Sequence, residues 1–344
     1  MIRKSIILIL LIIQVFSFAE DAVTTKLSLD VMGAYYLGSQ GGYNAEGGFA
    51  PPTYEVLDLS PSVPLLDPGR PVGSSWGGAE AKVALNYVMK FPFLVGDGAL
   101  MSGNNLAVKF SGELSPVSIN ALAATTLTPI AFLNFTLGLK GGTGWAIGFN
   151  GLGKNLPGVN NESAQEEPFS GLVYEIFASG VFQFDLAALV PGDWNHVVVL
   201  AEGKVIYKAF TNAGPNEAWV WEADSGMNFN GFWFKGSYFL GYQMPIVLNT
   251  AGFLVETSQY IDTDNVERSK SSLADWNSAF MAMRFGPLFN FALTENMSLA
   301  VLPQFKYDRK FTNATAGNRY FEYREFEAGF VYFDRIAFSY SLSL

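Results

Sequence analysis

The sequence predicts an all-β fold, a transmembrane antiparallel β-barrel of twelve or fourteen strands. Three observations predict it. Apolar and polar residues alternate along most of the chain, large aromatics crowd near the ends of the apolar runs, and short turns alternate with long polar connections. The 344 residues are 49% hydrophobic and 15% aromatic, yet only 15% charged. Beyond the first nineteen residues no apolar stretch reaches the roughly 18–20 residues of a membrane-spanning helix. A chain this apolar must therefore distribute its apolar residues in another way.

The amino terminus has the layout of an export signal. Arg3 and Lys4 precede an apolar run from Ile6 to Phe18 broken only by Gln14, and Ser17-Phe18-Ala19 supplies small residues at the two positions that signal peptidase reads. Residues 1–19 are read as a secretory signal peptide and 20–344 as the barrel. With no cysteine in the chain, a lipid anchor, a disulfide framework and a thiolate metal site are all excluded. The 21 basic residues less Arg3 and Lys4 leave 19 against 31 acidic ones, a net −12 for the exported chain. That balance excludes a nucleic-acid partner, which needs a basic face.

Period two is clearest from Ala81 to Phe93. Val83, Leu85, Tyr87, Met89 and Phe91 interleave with Lys82, Asn86, Val88 and Lys90, so one face is apolar and the other largely polar. The same rule sets Leu27, Leu29 and Val31 against Lys26, Ser28 and Asp30, and Val108 and Phe110 against Lys109 and Ser111. It sets Tyr174, Ile176, Phe182 and Phe184 against Glu175, Gln183 and Asp185. Further on, Phe234, Tyr238, Leu240 and Tyr242 oppose Lys235, Ser237 and Gln243, and Val301, Phe305 and Tyr307 oppose Gln304, Lys306 and Asp308. Alternation alone also suits a soluble sandwich. Aromatics near run ends (Tyr35, Trp76, Phe91, Phe93, Trp145, Trp194, Trp233, Trp276) suit interfacial girdles, and runs of ten or more residues suit a bilayer crossing. Short turns near Thr128-Pro129, Pro191-Gly192, Met244-Pro245 and Thr294–Asn296 alternate with polar stretches at 38–78, 150–170, 211–227, 260–274 and 309–319.

Thirteen runs read as strands: 25–37, 79–93, 104–114, 116–127, 130–140, 171–187, 195–210, 228–243, 245–259, 275–292, 297–308, 320–333 and 335–344. Single-chain bacterial barrels have even numbers, so one boundary is misplaced. The tight Ser115-Pro116 connection and a turn at Glu202-Gly203 are the two candidates. The polar stretch 38–78 is long enough to fold inward as a constriction.

The last residues carry the most specific pattern. Ile336, Phe338, Tyr340, Leu342 and Leu344 alternate with Ala337, Ser339, Ser341 and Ser343. This resembles the carboxy-terminal strand by which bacterial outer-membrane β-barrel proteins are recognised for assembly, although that family usually ends in Phe and this chain in Leu344. Glu113-Leu-Ser-Pro-Val and the stretch from Asn230-Gly-Phe-Trp to Tyr242-Gln-Met-Pro also resemble an uncharacterised spirochaete outer-membrane group. The resemblance implies residence in a cell outer membrane, with outer-membrane lipid and the assembly machinery as partners. It implies no activity.

Enzyme chemistry is mostly absent. Gly73-Ser74-Ser75-Trp76-Gly77 matches a nucleophile elbow, but it sits in a Pro/Gly-rich stretch with no helix to follow. His196 is the only histidine and falls next to a predicted short turn, the wrong end for a barrel protease. Asp262, Asp264 and Asn265 lack the Gly and Glu that complete a calcium loop. No catalytic residue, cofactor or metal is expected. What remains is the lumen, towards which alternation points Lys26, Asp30, Lys82, Asn86, Lys90, Lys109, Glu175, Gln183, Asp185, Lys235, Gln243, Glu256, Arg284, Gln304, Lys306 and Glu327. The expected function is a passive channel for a small or amphipathic solute, hydrophobic solutes included. The alternative is a surface adhesion or structural barrel working through its extracellular connections.

Overall fold

A computed structural model of the chain describes residues 23–35, 79–145, 152–154, 165–166, 168–214, 219–222, 228–261, 277, 279–311 and 326–344. The amino-terminal segment 1–19, the stretch 38–78 with Trp76 and the Gly73–Gly77 motif, Asp262–Asn265 and Trp276 lie outside them. Among the described residues no helix is long and apolar enough to cross a membrane.

The described residues form fifteen strands in chain order: β1 (Thr24–Tyr35), β2 (Ala79–Pro92), β3 (Asn105–Ser115), β4 (Ser118–Ile130), β5 (Leu133–Gly144), β6 (Leu152–Lys154), β7 (Gln165–Glu166), β8 (Val173–Asp185), β9 (His196–Phe210), β10 (Trp219–Trp221), β11 (Gly231–Gln243), β12 (Leu248–Tyr260), β13 (Ala282–Ala292), β14 (Met297–Phe311) and β15 (Phe326–Ser343). Twelve of them close a barrel in the order β1-β15-β14-β13-β12-β11-β9-β8-β5-β4-β3-β2, while β10, β6 and β7 form a small separate sheet. Every neighbouring pair is antiparallel, and the seam joins Ser28↔Ser343 through Tyr35↔Ile336. Closure leaves no barrel strand with an open edge.

Register fixes the two faces, because residues two apart and residues directly paired share a side. Tyr87, Phe110 and Ala123 line up across β2–β4, and Leu137, Ala178 and Val205 across β5, β8 and β9. These outer positions are bare of protein cover: Leu137 is 68% exposed, Ile176 59% and Leu240 59%. An apolar belt of that extent is stable only against lipid. The barrel therefore spans a membrane, and its interior is the polar face.

Connections at one end run through 93–104, 131–132, 186–195, 244–247 and 293–296. At the other end lie 36–78, 145–172, 211–230, 261–281 and 312–325, with one exception, the two-residue link 116–117. There Ser115 Oγ and Ser118 Oγ share a hydrogen bond of 2.7 Å. The ends are called the short-turn and long-connection mouths below.

Three expectations need correction. Neither Ser115-Pro116 nor Glu202-Gly203 causes the odd count: β3 and β4 are separate strands, and β9 runs unbroken through Gly203. Instead the described part of 320–333, from Phe326 onward, and the run 335–344 belong to one strand, β15, which bulges where Gln304↔Arg335 is followed by Phe305↔Phe333. The extra residue is Asp334. A bulge shifts the alternation by one, so Asp334 and Arg335 both project inward and the apparent gap in the pattern is no strand end. Trp233 is not a girdle residue either. It pairs with Ile206 and Tyr260 on the inner face and packs its ring 3.9 Å from that of Tyr260. Of the remaining girdle residues, Tyr35 and Trp194 are exposed at opposite ends of the barrel.

Between β13 and β14 the ladder skips from Phe285↔Phe305 to Phe289↔Val301. Pro287 and Pro303 fall in that interval and lack the N–H that a continuous ladder needs. The strands nonetheless stay close, since a Cβ on Gly286 would meet the Pro303 carbonyl oxygen at 2.0 Å. Glycine is required there by backbone approach. Gly286→Ala should force the strands apart and destabilise the barrel by about 1–3 kcal/mol. A lower urea midpoint of unfolding in lipid, with unchanged strand content, is the expected result; an unchanged midpoint would refute the contact.

Candidate functional site: the lumen

The inner face is built of charges, most of them paired. Lys82 on β2 approaches Glu113 on β3 at 3.3 Å, and Glu113 also takes Lys140 from β5. The bulge lets Asp334 bind Arg284 at 2.7 Å while Arg335 reaches Glu80 at 2.5 Å and Gln304 at 2.9 Å. Gln304 in turn donates to Glu256 at 3.1 Å, and Lys306 pairs with Asp308 at 2.5 Å. Asp30 accepts from Asn86 at 2.7 Å and from Ser341 at 2.5 Å, and Ser111 donates to Asn86 at 2.8 Å. Apart from Lys306–Asp308, which lies within β14, each bond joins neighbouring or next-neighbouring strands, so the polar face stiffens the wall that displays it.

Alternation places Lys82, Asn86, Lys90, Lys109, Glu175, Gln183, Asp185, Lys235, Gln243, Glu256, Arg284, Gln304 and Lys306 on the inner face, through their registers with inner-face partners. Glu327 is different. It falls in a second irregularity of β15, between the pairs Lys310↔Ala328 and Phe311↔Phe326, and is exposed at the long-connection mouth. It is a rim residue, because the inserted position breaks the two-residue period. Ile336, Phe338, Tyr340 and Leu342 lie on the outer face, paired to β1 and β14.

Several lumen residues are not among those that alternation singled out. Glu80 and Glu113 share the parity of the residues singled out on β2 and β3, whereas Lys140, Lys204 and Lys208 lie on β5 and β9, from which none was singled out. Asp334 and Arg335 are concealed by the bulge. Glu222 carries no periodic signal, since it follows β10 in the connection between β9 and β11.

Glu222 is the residue that crosses the bore. It accepts from Ser118 at 2.8 Å and Asn120 at 2.9 Å on β4, and it lies 3.7 Å from Lys82 on β2. β2 is five strands round the barrel from β9 and six from β11, so this contact is made to the facing wall. The backbone of Glu222 sits at φ 52°, a left-handed conformation that a non-glycine residue adopts at a cost of about 1–3 kcal/mol. Burial works to raise its carboxyl pKa. The ammonium charges of Lys82 and Lys140 and the hydrogen bonds from Ser118 and Asn120 outweigh burial and hold the group below the ordinary carboxylate range.

The segment before Glu222 is anchored by apolar packing. Trp219 and Trp221 join Leu152, Val173, Phe210 and Ala213 in a buried cluster, with Trp219 fully enclosed. Asn228 donates to the Trp219 carbonyl at 3.0 Å, and Asn230 donates to the Phe210 and Ala213 carbonyls at 3.1 and 2.9 Å. Between Glu222 and the β1–β2–β15 wall lies a cavity of 480 Å³ lined by Glu80, Lys82, Glu256, Gln304 and Arg335.

At the short-turn mouth His196 Nδ1 meets Asp185 Oδ2 at 2.6 Å, and Asp185 also caps the following turn through the Ala187 amide at 3.0 Å. A cavity of 280 Å³ lies beside Asp185, Gln183 and Gln243. Among the described residues no group of three or more His, Asp or Glu side chains could hold a metal ion.

No family model matches the chain, and no curated protein matches it in sequence. Among solved structures it is similar to an outer membrane channel from Pseudomonas putida F1, at 9% identity and a TM-score of 0.41, with 95% of this chain and 98% of that one covered. It is similar to the NanC porin at 9% identity and a TM-score of 0.38, covering 92% of this chain and 100% of that one. A FadL homologue from Pseudomonas aeruginosa is 9% identical with a TM-score of 0.31, over 94% of this chain and 90% of that one.

Proposed function

We propose that the protein is an outer-membrane channel through which small or amphipathic solutes diffuse, and that it is not an enzyme. The observation that carries this reading is a polar bore of paired charges, narrowed but not filled by Glu222, with a cavity of 480 Å³ beside it. A barrel whose interior served only as a plug would close that space with side chains. Export and outer-membrane residence rest on the amino-terminal signal and on Ile336, Phe338, Tyr340, Leu342 and Leu344, the pattern that would engage the assembly machinery. The His196–Asp185 pair serves the turn that Asp185 caps. The resemblance to spirochaete outer-membrane barrels supports the location and adds no activity.

The test is single-channel recording of the refolded chain from Glu20 onward in a planar bilayer, after gel migration that changes on heating has shown a folded barrel. Discrete conductance steps are expected. A folded barrel in a silent bilayer would sink the channel reading and move the function to the long connections, as in adhesion.

Glu222 supplies a sharper expectation. Glu222→Gln keeps an acceptor for Ser118 and Asn120 but loses the attraction of Lys82 and Lys140, weakening the tie by about 1–2 kcal/mol. The unit conductance should rise. Because the folded carboxyl lies below its ordinary value of 4.5, the tie is complete above 4.5 and is lost as pH falls through the lower folded value. Conductance of the unaltered chain should therefore show an acid-induced rise only below pH 4.5, a step that Glu222→Gln lacks. A step of equal size and position in both chains would refute the role of Glu222.

A further inference from the structure

Six lysines project into the lumen with no carboxylate at ion-pair distance among the described residues. Lys26, Lys90 and Lys109 lie on β1–β3 towards the short-turn mouth; Lys204, Lys208 and Lys235 lie on β9 and β11, on the facing wall. The second group is the tighter. Lys204 and Lys235 are direct partners in the β9–β11 ladder, an apposition of like charges that is destabilising in itself. Lys208 donates to Asn228 at 3.0 Å, and Glu175, its partner across the β8–β9 ladder, does not close on it as an ion pair. Elsewhere in the same lumen Glu113 serves two lysines at once. The wall of β9 and β11 therefore departs from the chain's own practice.

Its surroundings are aromatic and rich in donors. The Lys204 ammonium lies 3.8 Å from the Phe177 ring centroid and that of Lys208 5.0 Å from the Trp219 ring. Trp233, two residues from Lys235 on the same face of β11, has an indole N–H without an acceptor among the described residues. Lys235 itself is exposed to the bore. Ammonium groups outside any ion pair among the described residues, an indole donor and a flat apolar face together match a carboxylate carried on an apolar or aromatic body.

We propose that this wall is a binding site for small organic carboxylates, formed by Lys204, Lys208 and Lys235 with Phe177 and Trp233, and that the lumen is anion-selective. The selectivity rests on the channel reading; the binding site does not. Carboxylate entering near the short-turn mouth would meet Lys26, Lys90 and Lys109 before or after this wall, so positive charge flanks the path on both sides of the bore. Glu175 and Glu202 share the β8–β9 wall and place two carboxylates beside the site.

Two readouts on the refolded barrel separate the claims. Benzoate titrated against the detergent-held barrel should change indole fluorescence in a saturable way, whereas phenethylammonium and benzyl alcohol should not. In the double variant Lys204→Gln, Lys235→Gln the apparent affinity should fall about tenfold or more, one to two charge-assisted contacts. Heat-modifiable migration should persist in that variant, since the change removes a repulsion. In a planar bilayer under a salt gradient the reversal potential should take the sign of anion preference, and the double variant should move it towards zero. Saturable benzoate binding without conductance would refute the channel and leave the site standing. Conductance with cation preference, or benzoate binding unaffected by the two substitutions, would overturn the proposal while leaving the channel intact.

Discussion

Closure is the condition on which the rest of the structure depends. In hydrocarbon an unpaired amide or carbonyl has no water to turn to, so each barrel strand needs a partner on both sides. The ladder between β1 and β15, eight paired residues from Ser28↔Ser343 to Tyr35↔Ile336, meets that condition for the two chain-terminal strands. Without it both would present long open edges to lipid. The carboxy-terminal residues thus serve twice. Their outer side chains Ile336, Phe338, Tyr340 and Leu342 face the bilayer, and their backbones complete the barrel against β1 and β14.

Once the wall is closed, the interior has its own problem, which is charge in a space only partly wet. A lone ion there loses hydration, and a paired one recovers part of the loss only if hydrogen bonds complete its shell. The lumen answers with shared partners. Glu113 lies between Lys82 and Lys140, Arg335 spans Glu80 and Gln304, and Asp30 is held by Asn86 and Ser341. The bulge at Asp334 belongs to the same solution, because it brings two adjacent ionic side chains to one face where a regular strand could offer only one. Pro287 and Pro303 forgo ladder bonds, and Gly286 keeps their strands in contact.

Period two made the barrel legible in the sequence, because lipid and lumen impose opposite chemistry on alternate residues of every strand. It made most of the lumen legible for the same reason: Lys82, Asn86, Lys235 and Gln304 needed only parity. It failed wherever the period itself fails. At Asp334 one inserted residue looked like a strand end and divided β15 in two. At Glu327 the second irregularity sent a residue counted as internal to the rim. Trp233 was misread because aromatics near a strand end suit both a girdle and an inner stack, and only pairing with Ile206 and Tyr260 decides. Glu222 was beyond reach, since its position depends on how the β9–β11 connection packs Trp219 and Trp221 against Phe210, a long-range contact with no local signature.

The paired and unpaired charges of the lumen do different work. An ion pair a few ångströms long has a field that falls off as a dipole, so a solute two or three side chains away scarcely senses it; a lone ammonium acts as a monopole, and low-dielectric walls focus its field along the bore. The Arg284–Asp334, Arg335–Glu80 and Lys306–Asp308 pairs thus shape and stiffen the wall and leave its long-range sign open. That sign falls to the residues left out of ion pairs, where the six lysines of β1–β3 and of β9 and β11 outnumber Asp30, Glu175, Glu202 and Glu256. The chain as a whole is acidic, with a net charge of −10, and part of that acidity lies outside the bore in the short turns, at Asp97, Asp193 and Glu295. Total charge is therefore a poor guide to what the lumen attracts, and the arrangement of pairs is the better one.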